Sequence, residues 1–223
     1  MKKEILKTTD GSYTFYVPEL NETYHSTNGA LQESLHVFIE AGLKFSTLKK
    51  ASILEIGFGT GLNALTTFDE AVKSNLNIEF SSLEAFPLSW DDVSKLNYMN
   101  LEGFQQYAIP FESMHSCDWD SFIEITAEFS LRKLNTKLQD IRFENEFDII
   151  YFDAFAPQIQ PELWSYEVFE MMYKALKNNG VLVTYCAKGT VKRALKAAGF
   201  KLQSIPGPPG KREMSRAVKG LFG

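Results

Sequence analysis

The chain alternates short apolar runs with amphipathic stretches of helical spacing. Apolar runs without polar alternation predict buried β-strands, and the clearest of them are Ile53–Ile56, Ile78–Glu84, Phe147–Asp153 and Val181–Cys186. Apolar residues three and four positions apart predict a helix after three of these runs, from Leu62 to about Lys73, from Pro161 to Leu176 and up to Ala198. Buried strands separated by helices indicate a mostly parallel sheet, which right-handed crossovers wind doubly.

The last two predicted strands have a different connection. Only a turn rich in proline and glycine separates Phe200–Ile205 from Met214–Val218, so these strands are expected to pair antiparallel. With a further strand at Phe129–Leu134, the pattern predicts a doubly wound α/β protein. Its mostly parallel, seven-stranded sheet would end in an antiparallel C-terminal hairpin. That arrangement is typical of the Rossmann-like class I methyltransferase fold, whereas a dehydrogenase Rossmann fold lacks the hairpin.

The residues before the first strong strand predict an entry segment or a lid. Weak alternation over residues 11–25 predicts a small β-hairpin, and Asn28 to Ala41 have helical spacing. We expect one domain over residues 1–223. Residues 1–45 of this domain would form the hairpin and helix, and residues 51–223 would form its Rossmann-like core.

Composition places the chain among globular proteins. It has 223 residues, of which 44% are hydrophobic and 23% charged, and this excludes collagen-like, coiled-coil and disordered chains. No apolar run approaches the ~18 residues of a membrane span, and the first residues lack a signal-peptide pattern. We therefore expect a cytoplasmic protein without a membrane partner. Its two cysteines and three histidines lack the spacing of a disulfide framework or a metal site.

Charge is distributed unevenly along the chain. The net charge is −5, yet nine basic residues and one acid lie between position 188 and the C-terminus. Such a segment on an acidic body could contact phosphates beside a site. A solvated helix face followed by a lysine-rich hairpin would have the same composition.

A glycine-rich turn follows the first strong strand, in the order Glu55, Gly57, Gly59 and Gly61. Ligands of such sheets bind at the carboxyl ends of the strands, where glycines permit a tight turn and a close approach. A dinucleotide fingerprint would place its third glycine one residue later than Gly61. Glu84 ends the next strand, where a carboxylate can accept both ribose hydroxyls of an adenosyl group. NAD and S-adenosylmethionine (SAM) share that requirement.

A further acid follows the strand Phe147–Phe152. Asp153 is expected in the same crevice, beside the glycine turn. A buried carboxylate there would suit a ligand that carries a sulfonium and an amine, and the alternative is an Asp that caps the next segment. Pro157 restricts Ala156 to extended conformations and stiffens the loop.

Several motifs together resemble one enzyme family. They are Glu55-Ile-Gly-Phe-Gly-Thr-Gly-Leu-Asn63, Glu84-Ala-Phe-Pro-Leu88, Phe152-Asp-Ala-Phe-Ala-Pro157 followed by Pro161-Glu-Leu-Trp164, Gly210-Lys-Arg-Glu-Met214, and Tyr24-His-Ser-Thr-Asn-Gly-Ala-Leu-Gln-Glu33. In these motifs, and over nearly its whole length, the chain is similar to the MnmC methyltransferase domain and its stand-alone form, MnmD. That family completes 5-methylaminomethyl-2-thiouridine at the wobble position of tRNA.

The resemblance implies a class I fold, SAM as the methyl donor and the exocyclic amine of 5-aminomethyl-2-thiouridine as the acceptor. It also implies that Asp153 lies at the reacting centre and that the cofactor is held by Glu55, Gly57, Gly59, Gly61 and Glu84. Many relatives have Gly-Asp as an adenine contact where this chain has Asn135-Thr136-Lys137. Asn135 or backbone groups are expected to take over that contact.

Bifunctional relatives add an FAD-dependent oxidoreductase domain, of which this chain has no fingerprint. We therefore expect SAM as the cofactor, with neither a metal nor FAD, and an activity limited to the methylation.

The partner implied by the resemblance is the anticodon loop of tRNA, which is expected to bind through phosphate contacts and base stacking. Lys211, Arg212 and Arg216 are the candidates for phosphates and Phe155 for stacking. Trp164 is a second stacking candidate, although a tryptophan at such a position is more often part of the core. Asp153 is expected to orient the acceptor amine and to accept its proton.

Two other functions remain open from the sequence. An aminopropyltransferase of the spermidine-synthase kind uses the same fold, a related sulfonium donor and an Asp facing an amine, but it needs acidic residues around a polycationic acceptor. A non-catalytic nucleoside- or RNA-binding module would keep the glycine turn without needing an acid at position 153.

Overall fold

The N-terminal strands form a small antiparallel sheet of their own in the structure, a computed structural model that describes residues 2–220. They are β1 (Glu4–Lys7), β2 (Tyr13–Val17) and β3 (Glu22–Thr23), paired in that order. The hairpin expected over residues 11–25 is confirmed by β2 and β3. Strand β1 was not predicted, because its four residues are all exposed and show no buried face.

One long helical segment connects this small sheet to the core. It consists of α1 (Ala30–Ser34), a π-helical stretch (Leu35–Leu43) and α2 (Lys44–Ser46), so it is longer than the predicted helix. Val37, Phe38 and Ile39 are buried against the central sheet. The two polar residues that end α1, Glu33 and Ser34, are also buried; Glu33 lines the cleft described below, and the hydroxyl of Ser34 donates to Asn63 of α3.

The central sheet has eight strands in the order β10-β11-β9-β8-β4-β5-β7-β6. The parallel strands are β4 (Lys50–Ile56), β5 (Asn77–Leu83), β7 (Phe129–Leu134), β8 (Phe147–Phe152) and β9 (Leu176–Thr184). The strands β6 (Ile123–Thr126), β10 (Lys201–Pro206) and β11 (Glu213–Val218) pair antiparallel with their neighbours.

Helices cover both faces of this sheet. They are α3 (Leu62–Ser74), α4 (Trp90–Val93), α5 (Ala108–Ser116), α6 (Tyr166–Ala175) and α7 (Gly189–Ala197), and a 3₁₀ turn (Pro161–Trp164) precedes α6. Alternate residues of the buried strands enter two separate cores. Ile149 and Tyr151 join the core under α3 and α5, whereas Ile150 and Phe152 join the core under α6 and α7.

The predicted fold class is confirmed: the sheet is mostly parallel, helices lie on both faces, and the C-terminal hairpin is antiparallel. The predicted strand number is wrong, since the described residues contain eight central strands and not seven. The extra strand is β6, an edge strand whose side chains are partly or fully exposed, so it has no apolar run. Within residues 2–220, no helix has the length and apolarity needed to cross a membrane.

Candidate active site

A cleft opens at the carboxyl edge of the sheet, above β4 and β8. These strands are parallel neighbours, with Ile56 opposite Phe152, but the chain leaves β4 toward one side of the sheet and β8 toward the other. Loops that follow such strands diverge and leave room for a ligand. The cleft has a volume of about 1520 Å³, enough for a nucleoside-sized ligand and part of a second molecule.

The glycine turn forms the floor of this cleft. Gly57 has a φ of 95°, and a Cβ atom there would lie 3.1 Å from the carbonyl oxygen of Asp153. Gly59 lies against the ring of Tyr24, which a Cβ atom would approach to 3.3 Å. Both glycines line the cleft, whereas Gly61 is buried against His115 at the start of α3. A side chain at either of the first two glycines would therefore crowd a neighbouring residue, and we call the turn from Gly57 to Gly59 the glycine cradle.

Glu84 is held at the edge of the glycine turn by backbone donors. Its two carboxylate oxygens accept hydrogen bonds from the N–H of Gly59 at 3.0 Å and the N–H of Phe86 at 2.8 Å. Each oxygen keeps a second lone pair. The carboxylate lies in the cleft lining with a fixed orientation and can accept two further hydrogen bonds, as a ribose diol would require.

Asp153 lies in the cleft beside the glycine turn, as predicted from its position after β8. Its backbone N–H donates to the carbonyl of Ile56 at 3.2 Å, and its Oδ2 accepts from Nδ2 of Asn63 at 2.8 Å. The amide of Asn63 cannot flip freely, because its Oδ1 accepts from the hydroxyl of Ser34 at 2.7 Å. The carboxylate is therefore oriented by a side-chain network from α1 and α3.

The surroundings of Asp153 favour its protonated form. Burial and the nearby carboxylate of Glu33 raise its pKa to about 7, and the Asn63 hydrogen bond and the ammonium of Lys211 only partly oppose this. A carboxylate with a pKa near neutrality can accept or release a proton at the pH of the cell, which suits general base catalysis.

Glu55 lies beneath the glycine turn and does not line the cleft itself. It is fully buried, its Oε2 accepts from the hydroxyl of Ser82 at 2.6 Å, and its Oε1 has no hydrogen-bond partner within residues 2–220. Burial raises the pKa of Glu55 well above its ordinary value, despite the opposing Ser82 hydrogen bond. An unpaired polar atom at this depth is costly, and the neutral form of the carboxyl, which burial favours, reduces that cost.

An ion pair lies on the side of the cleft opposite Glu84. The ammonium of Lys211 is 2.6 Å from Oε1 of Glu33 and 3.9 Å from the centre of the Tyr185 ring. The second oxygen of Glu33 accepts from the N–H of Ser26 at 2.9 Å, and the Tyr185 hydroxyl donates to the carbonyl of Ala154 at 2.9 Å. All of these contacts fix a positive charge inside the cleft.

The N-terminal segment completes the wall of the cleft. Tyr24 packs edge-on against Phe155 with ring centres 5.2 Å apart, and His25 lies 3.3 Å from the hydroxyl of Thr60. Burial lowers the pKa of His25 to about 4, so its ring is neutral at pH 7. From the sequence we assigned no role to Tyr24, Glu33 or Asn63, although all three lie in the motifs that carry the family resemblance.

The structure separates the residues proposed for RNA binding. Arg212 and Phe155 line the cleft, and Arg212 is exposed. Arg216 lies elsewhere: its guanidinium stacks 3.7 Å from the centre of the Phe45 ring, on the sheet face covered by the long helical segment. Trp164 is 5% exposed and donates its Nε1–H to the carbonyl of Phe155, so it belongs to the core and offers no stacking surface.

The residue expected to contact adenine, Asn135, lies outside the cleft wall. Asn135 is exposed and is not part of the cleft wall, which continues from Thr136 to Gln139. Adenine recognition at this edge would therefore fall to that segment.

The residues of the cleft fit an adenosyl ligand. The glycine cradle lies at the edge of the sheet without side chains, and the oriented carboxylate of Glu84 beside it can accept hydrogen bonds from two hydroxyl groups. Residues 91–220 match a family model described as S-adenosyl-L-methionine-dependent methyltransferase. The chain belongs to this family. That membership confirms the fold class and the cofactor expected from the sequence.

Curated relatives of this methyltransferase carry the MnmC name, which confirms the predicted resemblance. A tRNA 5-methylaminomethyl-2-thiouridine biosynthesis bifunctional protein MnmC of Leptospira interrogans is 30% identical over 208 residues, covering 88% of this chain and 32% of that protein. Its counterpart in Pseudomonas savastanoi is 29% identical over 219 residues, with 90% of the chain and 32% of the protein covered. The chain thus spans about a third of the length of these relatives.

Among solved structures, the methyltransferase is similar to MnmC2 of Aquifex aeolicus, with 26% identity and a TM-score of 0.80 over 99% of this chain and 71% of that one. Spermidine synthase of Thermotoga maritima aligns with a TM-score of 0.55 and 16% identity, over 98% of this chain and 72% of that one. At that identity the second likeness shows a shared fold alone.

Proposed function

We propose that this methyltransferase transfers a methyl group from SAM to the exocyclic amine of 5-aminomethyl-2-thiouridine at the wobble position of tRNA. The single observation that carries the proposal is the position of Asp153. Its carboxylate lies beside the glycine cradle, oriented by Asn63, with a pKa of about 7. The names of the MnmC relatives support the choice of acceptor.

When bound, SAM supplies the methyl group: the acceptor nitrogen bonds to the methyl carbon while the carbon–sulfur bond breaks and sulfur keeps the electron pair. In this proposal Glu84 holds the ribose hydroxyls, and Gly57 and Gly59 leave room for the rest of the donor. Asp153 orients the amine and accepts the proton that its nitrogen loses. Holding the two reactants in line can be worth up to ~7–11 kcal/mol of the barrier.

The acceptor must lose a proton before it can react. An alkylammonium has a pKa near ~10.4, so freeing its lone pair at pH 7 costs about 5 kcal/mol. A carboxylate alone would increase this cost by favouring the ammonium. The buried setting of Asp153 has the opposite effect, because low solvation disfavours charge on the amine as well.

We propose that the tRNA anticodon loop binds over the rim of the cleft, where Arg212 and Lys188 are exposed and Phe155 lines the wall. Phosphates would contact the two basic side chains. A transfer of this kind includes no redox step, so the proposal assigns no role to FAD or to a metal. The work of such an enzyme on tRNA also supports a cytoplasmic location.

The deciding experiment is transfer of tritium from methyl-labelled SAM. The acceptors to compare are tRNA that carries 5-aminomethyl-2-thiouridine, the same tRNA without the aminomethyl group, and a polyamine. We expect label only in the first tRNA, with loss of transfer in Asp153→Asn. Label in both tRNAs, or in the polyamine, would refute the proposed acceptor.

A further inference from the structure

Lys211 lies inside the cleft and not on its rim, where a contact to RNA phosphate would be expected. Its side chain is one third exposed, and its ammonium is held between Oε1 of Glu33, at 2.6 Å, and the face of the Tyr185 ring, at 3.9 Å. Glu33 is itself 7% exposed and bound by the N–H of Ser26. A phosphate at this ammonium would lie next to the carboxylate of Glu33, and the repulsion between the two anions would disfavour it.

The loop that carries Lys211 is held closely against the N-terminal segment. A Cβ atom at Gly210 would collide with the side chain of Asn28, so no larger residue fits between the two without movement. The N–H of Lys211 donates to the carbonyl of Pro208 at 2.9 Å. The backbone on both sides of the ion pair is therefore fixed, and the ammonium has a defined place beside Asp153.

We propose that Lys211 is a positioning residue of the methyl transfer: held by Glu33 and Tyr185, it places a fixed positive charge beside Asp153, which favours the ionised form of Asp153 and the uncharged form of the acceptor amine. This proposal rests on the function proposed above. It gives Lys211 an electrostatic role in preparing the two reacting groups and no contact with the RNA backbone.

The charges around Asp153 explain why such a cation is needed. Glu33 faces it from α1, Glu55 from β4, Tyr185 from the end of β9, and Lys211 from the loop between β10 and β11. Burial and Glu33 raise the pKa of Asp153, whereas Asn63 and Lys211 lower it. Without Lys211, two carboxylates would share the site with the acceptor, and both would favour the unreactive ammonium.

The test begins with the protein alone. Selective ¹³C labelling of aspartate, with Asp153→Asn to assign the signal, allows the ionisation of Asp153 to be followed by NMR between pH 4 and 9. We expect Lys211→Met to move the midpoint upward by about one pH unit and Glu33→Gln to move it downward. Lys211→Arg keeps the charge and should restore the midpoint. Lys174→Met, which removes the lysine of an exposed ion pair with Glu170 on α6, is the matched control and should leave it unchanged.

Kinetics then separate the proposed role from a role in RNA binding. We expect Lys211→Met to lower kcat at pH 7 about tenfold and to shift the acidic limb of the pH profile upward, with KM for tRNA and its salt dependence unchanged. An unmoved NMR midpoint in Lys211→Met would overturn the inference, and so would a loss of tRNA affinity with a smaller salt slope. The NMR titration needs no substrate. If the proposed acceptor is wrong, only the transfer assay will show it, and the titration will still test the role of Lys211.

Discussion

The raised pKa of Asp153 predicts a pH-dependent cost in stability, which Asp153→Asn should remove. Folding raises this pKa from 3.8 to about 7, so the folded protein binds the proton more tightly than the unfolded chain. The contribution of Asp153 to stability is then greatest below pH 3.8 and falls as the pH rises toward 7. At 1.36 kcal/mol per pH unit, the loss amounts to about 4 kcal/mol at pH 8 but only about 1.6 kcal/mol at pH 5.

Asparagine at position 153 is uncharged at every pH and can still accept the hydrogen bond from Asn63. The free energy of unfolding of Asp153→Asn, relative to the unmutated protein, should therefore increase by about 2.5 kcal/mol between pH 5 and pH 8. Urea denaturation followed by circular dichroism at both pH values measures it, with the m-value as a check on two-state behaviour. The variant should thus be more stable than its parent at pH 8 while it loses activity.

Asp148→Asn provides a control, because folding shifts the pKa of Asp148 in the opposite direction to that of Asp153. Burial would raise the pKa of Asp148, but hydrogen bonds from Ser52 and the ammonium of Lys177 outweigh this and lower it. Its ionised form therefore stabilises the fold above the ordinary pKa, and Asp148→Asn should be destabilised at both pH values. An Asp153→Asn stability difference that is the same at pH 5 and pH 8 would refute our account of the site.

Three further predictions concern ligand binding. Glu84→Gln should weaken SAM binding at least tenfold in calorimetry, because a charged acceptor of two hydrogen bonds worth ~1.5–3 kcal/mol is lost. Gly57→Ala should weaken SAM binding, since its Cβ atom would crowd the carbonyl oxygen of Asp153 and displace the glycine cradle. Gly103→Ala, at a similar φ of 86° with nothing within 4 Å, should bear the same backbone strain of ~1 kcal/mol and bind SAM normally. Arg212→Glu should weaken tRNA binding and reduce its salt slope by about 1, whereas Arg216→Met should leave both unchanged.

The controls decide how these results are read. Undiminished SAM affinity in Glu84→Gln would show that the ribose lies elsewhere. Equal loss of SAM binding in Gly57→Ala and Gly103→Ala would mean that backbone strain is responsible, and not the contact of the new Cβ atom with Asp153. If Arg216→Met reduces the salt slope as much as Arg212→Glu does, the tRNA crosses a different face of the protein.

The sequence was sufficient to locate the parts of the site that depend on the sheet. Apolar runs marked β4, β5 and β8, and the carboxyl ends of parallel strands share one edge, so Gly57, Glu84 and Asp153 could be placed together from the chain alone. The two strands that were missed, β1 and β6, are exposed edge strands. They are held by backbone pairing that leaves no hydrophobic pattern in the sequence.

Side-chain partnerships across long separations in the chain could not be predicted in this way. Lys211 and Glu33 are 178 residues apart, and Asn63 and Asp153 are 90 apart, so no local spacing indicates either pair. The basic character of the C-terminal segment suggested a phosphate contact for Lys211. The sequence of a basic segment does not show which of its side chains turn inward. The signal that was present lay in the motifs, since both pairs lie entirely within segments that resemble the family.

The N-terminal segment is part of the proposed reaction centre and not only its cover. Tyr24 contacts Gly59 in the floor of the cleft, and Glu33 supplies the carboxylate that both raises the pKa of Asp153 and holds Lys211 in place. The charge balance at Asp153 thus depends on three parts of the fold: the N-terminal segment, the central strands and the C-terminal hairpin. A core without the first 45 residues would keep the glycine cradle but lose this balance, which supports our proposal that the N-terminal segment and the Rossmann-like core act as a single domain.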